Sequence, residues 1–228
     1  MFNGTRVIAL LNNKGGVTKT TTAFNLIQKY RRSGRVVIPV DFDQQGNLTK
    51  MLPETTQTSL KADELKDLEA DYVIVDTGPT FRQDHIKLML ESDVILTPFQ
   101  LDRMDIEQTT TLLDTAVALN VIEKVKLIII HSGYHTQMYK ALRPAIENIA
   151  KEYGAEILCE MRRNQYVPKA NLEGKTVFEI QSPPDVRKEW KDLFKALSDV
   201  FRSKKESDLI AKSSQKVSSS EVQSCQTS

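Results

Sequence analysis

The sequence predicts an α/β fold: a mostly parallel, twisted sheet with helices on both faces. Short apolar runs alternate with longer segments of helical period, the pattern of strand–helix–strand units. The runs are nearly continuous in Val, Ile and Leu, as strands buried on both faces require. A polar loop with two glycines follows the first run directly and opens the first helical segment. Open α/β sheets bind their ligands at that end of the strands.

Taken in order, strands are expected over 7–11, 36–40, 72–75, 94–96, 125–130 and 157–158. Helices are expected over 19–33, 83–91, 104–120, 136–152 and 185–203. In the last of these, Trp190, Leu193, Phe194, Leu197, Val200 and Phe201 recur at three- and four-residue spacing, which makes a core-facing stripe. One domain is therefore expected over 1–203. From Lys204 onward eight serines and no aromatic residue occur in 25 residues, so 204–228 reads as a disordered tail, with a docking peptide as the alternative.

Composition narrows the class. With 40% hydrophobic and 27% charged residues the chain is of ordinary globular type. The net charge of +1 is unevenly spread: residues 1–161 carry 18 Lys and Arg against 21 Asp and Glu, and residues 162–205 carry 11 against 6. That late basic excess suits a polyanion. Cys159 and Cys225 have no metal-site spacing, and nothing suggests an oxidising compartment. No apolar stretch reaches the ~20 residues of a membrane span, and no leader pattern opens the chain, so a cytoplasmic protein is expected. His85, His131 and His135 show no ligand spacing and are assigned no role.

The sharpest signal is Asn12-Asn13-Lys14-Gly15-Gly16-Val17-Thr18-Lys19-Thr20-Thr21, between the first strand and the first helix. Such a loop turns backbone N–H groups inward and adds the positive end of a helix dipole, which suits phosphate. Gly15 and Gly16 let backbone approach the phosphates closely. Lys19 would reach the β- and γ-phosphates, and the Thr20 hydroxyl would ligate Mg2+. Asn13 and Thr18 occupy the glycine positions of the common G-x-x-x-x-G-K-[ST] pattern. The chain instead matches K-G-G-x-x-K-[ST], with Lys14 as an additional lysine.

Two aspartate segments follow the next strands: Asp41-Phe42-Asp43-Gln44-Gln45-Gly46-Asn47, then Asp76-Thr77-Gly78-Pro79. Asp41 and Asp43 alone read equally well as turn formers. Beside a phosphate loop they suit phosphoryl transfer, which needs one group for the metal's water shell and another for the attacking water. Thr20, Asp43 and Asp76 are thus the candidate metal residues.

These motifs resemble the ParA/MinD family of deviant Walker-type P-loop ATPases, and most closely its small partition ATPases; the late segment from Arg162 to Glu179 is similar to the family's R-x-x-x-V…G-x-[ST]-V-F-E region. The family usually has glycine at the position of Thr18. The resemblance implies an ATP hydrolase with ATP and Mg2+ as ligands and weak intrinsic turnover. By it, Asp43 orients the lytic water, Asp76 holds Mg2+ through water, Asp41 supports the site, and Gly78 and Pro79 form a switch loop. Lys14 would reach across a two-fold interface to the partner's phosphates in an ATP-sandwich homodimer. Pro183, in the turn before the last helix, is a candidate border of the adenine, and the turn reads equally well as a simple break before that helix.

Arg163, Lys169, Lys175, Arg187, Lys188 and Lys191 are the candidate DNA-binding residues, since the resemblance implies non-specific DNA binding in the ATP state. A centromere-binding adaptor protein would then stimulate hydrolysis and release. The first strand begins so early that no N-terminal DNA-reading domain is expected. The rival readings are a membrane-associated positioning ATPase, an ATPase that positions a protein assembly, an iron–sulfur ATPase and a nucleotide-binding scaffold without turnover. The first lacks an amphipathic terminal helix, and the third lacks cysteines near the loop.

Overall fold

The computed structural model describes residues 4–79, 83–133 and 136–224. Six strands form one sheet: β1 (Arg6–Leu10), β2 (Val37–Asp41), β3 (Tyr72–Asp76), β4 (Val94–Gln100), β5 (Val125–His131) and β6 (Glu156–Arg162). Their order is β2-β3-β1-β4-β5-β6, and every neighbouring pair is parallel. The helices are α1 (Lys19–Arg32), α2 (Asn47–Met51), α3 (Gln83–Glu91), α4 (Arg103–Ala118), α5 (Gln137–Tyr153), α6 (Tyr166–Leu172) and α7 (Pro184–Ser224). Two short 3₁₀ turns cover Ala62–Asp67 and Ile122–Lys124. The expected α/β architecture is present.

The apolar runs make strands for the anticipated reason. Val7, Ile8, Ala9 and Leu10 of β1 and Val73, Ile74 and Val75 of β3 are wholly inaccessible. β1 lies between β3 and β4, and the strand order reverses direction there. Register then places the chemistry: Leu10 is paired with Asp76, and Asp76 with Asp41. Both aspartates and the start of the glycine loop therefore leave the sheet at one level on the carboxyl edge.

Three elements differ from expectation. β4 runs on to Gln100 through Pro98, although a strand was expected only over 94–96. β1 pairs with β4 only as far as Leu96, so beyond that point β4 has one unpaired side and tolerates proline. α2 and α6 have five and seven residues, too few for a helical period to register. α6 starts where the Asn164 Oδ1 accepts from the Tyr166 and Val167 N–H groups, at 3.0 and 3.1 Å.

α7 remains helical to Ser224. No proline or glycine occurs after Pro184, so nothing in this stretch breaks a helix. The chain divides into two compact units, Met1–Trp190 and Lys191–Ser228. Among the described residues no helix is long and apolar enough to cross a membrane. His135 and Cys225 lie outside the described residues.

Candidate nucleotide site

The loop between β1 and α1 is held from below. Asn12 is buried; its amide donates to the Pro98 carbonyl at 2.8 Å, and its Oδ1 accepts from the Lys14 N–H at 2.9 Å. Gly16 takes a positive φ of 76°, which glycine adopts without strain. The α1 N-terminus has no side-chain cap and no acidic residue in its first turn. Its leading N–H groups and positive dipole end are thus left for an anion.

Lys19 is 6% exposed, and its Nζ donates to the carbonyls of Asn12 and Lys14 at 3.0 and 2.9 Å. Burial pulls its pKa down, opposed by the nearby Asp76, Asp43 and Asp105. A compact ammonium folded over a phosphate loop is placed to meet phosphate charge.

The three aspartates have different duties. Asp41 spends both oxygens on its own neighbourhood: Oδ1 accepts from the Asp43 N–H at 3.0 Å, and Oδ2 from the Thr49 N–H and hydroxyl, each at 2.9 Å. It is scaffold for the following loop. Asp43 lines the cavity, and its Oδ1 accepts from the Gln45 N–H at 3.0 Å. A Cβ at Gly78 would sit 3.0 Å from that oxygen, so glycine is what lets the two loops touch.

Asp76 is wholly buried. Its Oδ2 accepts from the Thr20 hydroxyl at 2.6 Å, while its Oδ1 is buried without a partner. Burial pushes its pKa up to about 7; the Thr20 bond opposes this and the neighbouring Asp41 adds to it. An unsatisfied carboxylate oxygen beside a hydroxyl fits a small hard cation. Among the described residues no cluster of three or more His, Cys, Asp or Glu could cage a metal.

A cavity of about 490 Å3 joins these groups to the far wall. Residues 15–22 line one end, and Ile130, Met161, Asn164, Val167, Pro168 and Trp190 line the other. Pro183 is not among the lining residues; the loop from β6 into α6 supplies part of this wall. That loop follows a parallel strand at its carboxyl end, a positional signal that sequence reading could have used. Arg162, also on this wall, is tied to Glu189 at 2.6 Å and to Asp185.

Lys14 shows an arrangement that sequence reading did not anticipate. Its Nζ lies 2.9 Å from Asp102 Oδ2 and 3.5 Å from Asp105 Oδ2 of the same chain. Asp102 caps α4 by accepting from the Asp105 N–H at 2.9 Å. The Asp102 bond raises the lysine pKa. Burial alone would lift Asp102, but the Lys14 bond brings it below its usual range. Buried Asp105 is raised.

Of the candidate DNA residues, Lys169, Lys175 and Lys188 are exposed, as is Lys191 in the second unit, and Arg187 is half-buried. Lys175 pairs with Glu173 at 3.0 Å. Arg163 is exposed and lines the cavity, and its N–H donates to the His131 carbonyl at 2.8 Å.

An uncapped helix N-terminus, a lysine folded over it and two aspartates on adjacent strand ends define a phosphate-loop nucleotide-binding protein. Comparison with known proteins agrees. Residues 8–177 match the CobQ/CobB/MinD/ParA nucleotide binding domain. The maintenance of carboxysome distribution protein A of Halothiobacillus neapolitanus is 28% identical over 192 residues, spanning 76% of this chain and 87% of that protein. The chromosome partitioning protein ParA of Caulobacter vibrioides is 26% identical over 234 residues, spanning 77% and 87%. The solved structure of apo McdA from Cyanothece superposes with a TM-score of 0.72 at 18% identity, covering 85% of this chain and 99% of that one. The chain belongs to the ParA/MinD family and is an ATPase.

Proposed function

We infer that this ATPase is a nucleotide-gated positioning protein: its ATP-bound homodimer binds DNA without sequence preference, and a centromere-binding partner stimulates the hydrolysis that releases it. One observation carries the gate. The two lysines of the loop have separate duties, since the Lys19 Nζ returns to loop carbonyls while the Lys14 Nζ leaves the loop for Asp102. Lys14 is thereby kept off its own phosphates and available to a second copy, where a cation supplied in trans stabilises developing phosphate charge.

Within one subunit, backbone N–H groups of the loop and Lys19 hold the phosphates. Asp43 orients the attacking water. Thr20 and Asp76 would hold Mg2+, which would neutralise phosphate charge when bound. DNA as the cargo track is supported by the relatedness to a chromosome partitioning protein and by the basic excess after residue 161. Nucleoid association follows from it. Relatedness to a carboxysome distribution protein supports a second reading, in which the same DNA-bound motor positions a protein assembly.

The test is DNA binding with ATP, ADP or no nucleotide at two salt concentrations. Binding should require ATP and weaken with salt, as displacement of counterions demands. The double variant Lys188→Glu/Lys191→Glu should bind more weakly and with a salt slope reduced by about one to two. Absence of binding in every state would remove DNA from the account. Unchanged binding by the variant would remove those two lysines.

A further inference from the structure

Thr18 carries two costs at once. It sits at the N-cap of α1 in the left-handed region, at φ 70° and ψ 16°. A β-branched residue is rarely found there and is strained. Among the described residues Asn120 is the other non-glycine residue with positive φ, and asparagine tolerates it far better. An N-cap threonine ordinarily repays its place by bonding an N–H of the first turn. Thr18 makes no such bond, and its Oγ1 is buried without a partner.

Neighbouring hydroxyls at the same cavity are satisfied: Thr20 donates to Asp76 at 2.6 Å, and Thr77 to the Leu10 carbonyl at 2.6 Å. Thr18 lines the cavity with them, beside the uncapped N-terminus of α1. A buried hydroxyl with no partner is unfavourable, and a neutral donor next to a set of unfilled N–H groups fits an anionic oxygen.

We propose that Thr18 binds nucleotide through its side chain, its hydroxyl donating to a phosphate oxygen of the bound nucleotide. Binding then satisfies the orphan group and offsets the backbone strain, so the nucleotide-free loop is the less stable of the two. The assignment rests on the ATPase reading of the same loop.

The experiment compares the unaltered chain with Thr18→Val and Thr18→Ser, by calorimetric titration with ATP and with ADP and by thermal unfolding without nucleotide. Valine keeps the shape and removes the hydroxyl. Its affinity for ATP should fall about tenfold or more, the worth of a hydrogen bond to a charged group. Its nucleotide-free Tm should be equal or higher, because an unsatisfied group has gone. Serine keeps the hydroxyl and should bind within about threefold of the unaltered chain. A merely structural threonine would move Tm and affinity downward together.

Valine binding ATP as tightly as threonine would overturn the assignment while the unaltered chain still binds. If the unaltered chain bound no ATP, the ATPase reading itself would fall, and Thr18 with it.

Discussion

Replacing Asp43 with alanine is expected to lower ATP turnover by about 10²–10⁴-fold, the range associated with a positioned acid–base group. The fold should persist. Asp43 lines the cavity and accepts from the Gln45 N–H two residues on, whereas Asp41 carries three bonds that hold the loop. ATP affinity should therefore change little, since phosphate binding is assigned to loop N–H groups and to Lys19. Phosphate release and equilibrium ATP binding, measured on the same preparation, separate the two effects. Retained turnover would pass the water-orienting role to another group. An Asp41→Ala variant, by contrast, should lose turnover together with thermal stability.

Asp76→Asn should produce two effects of opposite sign. Turnover should fall by a similar factor, because Thr20 would be left to hold the metal with a neutral amide. Stability without nucleotide should rise above pH 7. Asp76 titrates near 7 in the folded chain, against an ordinary value of 3.8, chiefly because it is buried. Between those values the folded chain keeps a proton that the unfolded chain has lost. The Asp76 contribution to stability consequently falls as pH rises through that window, at about 1.4 kcal/mol for each unit of displacement.

Above pH 7 the folded chain carries a buried charge at full cost, and asparagine removes it. Thermal melts at pH 5 and pH 8, with and without Mg2+ and ATP, read this directly. The stabilisation by asparagine should be larger at pH 8, and should shrink when Mg2+ and ATP offset the charge of Asp76 in the unaltered chain. Equal shifts at both pH values would mean that Asp76 is not protonated in the free protein.

Much of this site was readable before any coordinates, because its parts lie at strand ends in short contiguous segments. Lys19 and Thr20 follow the glycines directly, and Asp41 and Asp76 close apolar runs that could only be buried strands. What was not legible depends on contacts distant in sequence or on short elements. Lys14 meets Asp102 across 88 residues, and nothing local marks that aspartate as more than a helix cap. Pro98 ends a strand by its type, yet here it continues β4 because β1 no longer pairs with it. Part of the far wall of the cavity comes from α6, whose seven residues show no period.

In the proposed mechanism ATP moves Lys14 from Asp102 and Asp105 of its own chain to the phosphates of a second copy. Sedimentation equilibrium with Mg2+ tests it most directly, on the unaltered chain and on Lys14→Ala, each with a non-hydrolysable ATP analogue and with ADP. The account predicts a dimer only for the unaltered chain with the ATP analogue, and monomers in the other three cases. The same mass in all four, or a Lys14→Ala dimer as stable as the unaltered one, would contradict it.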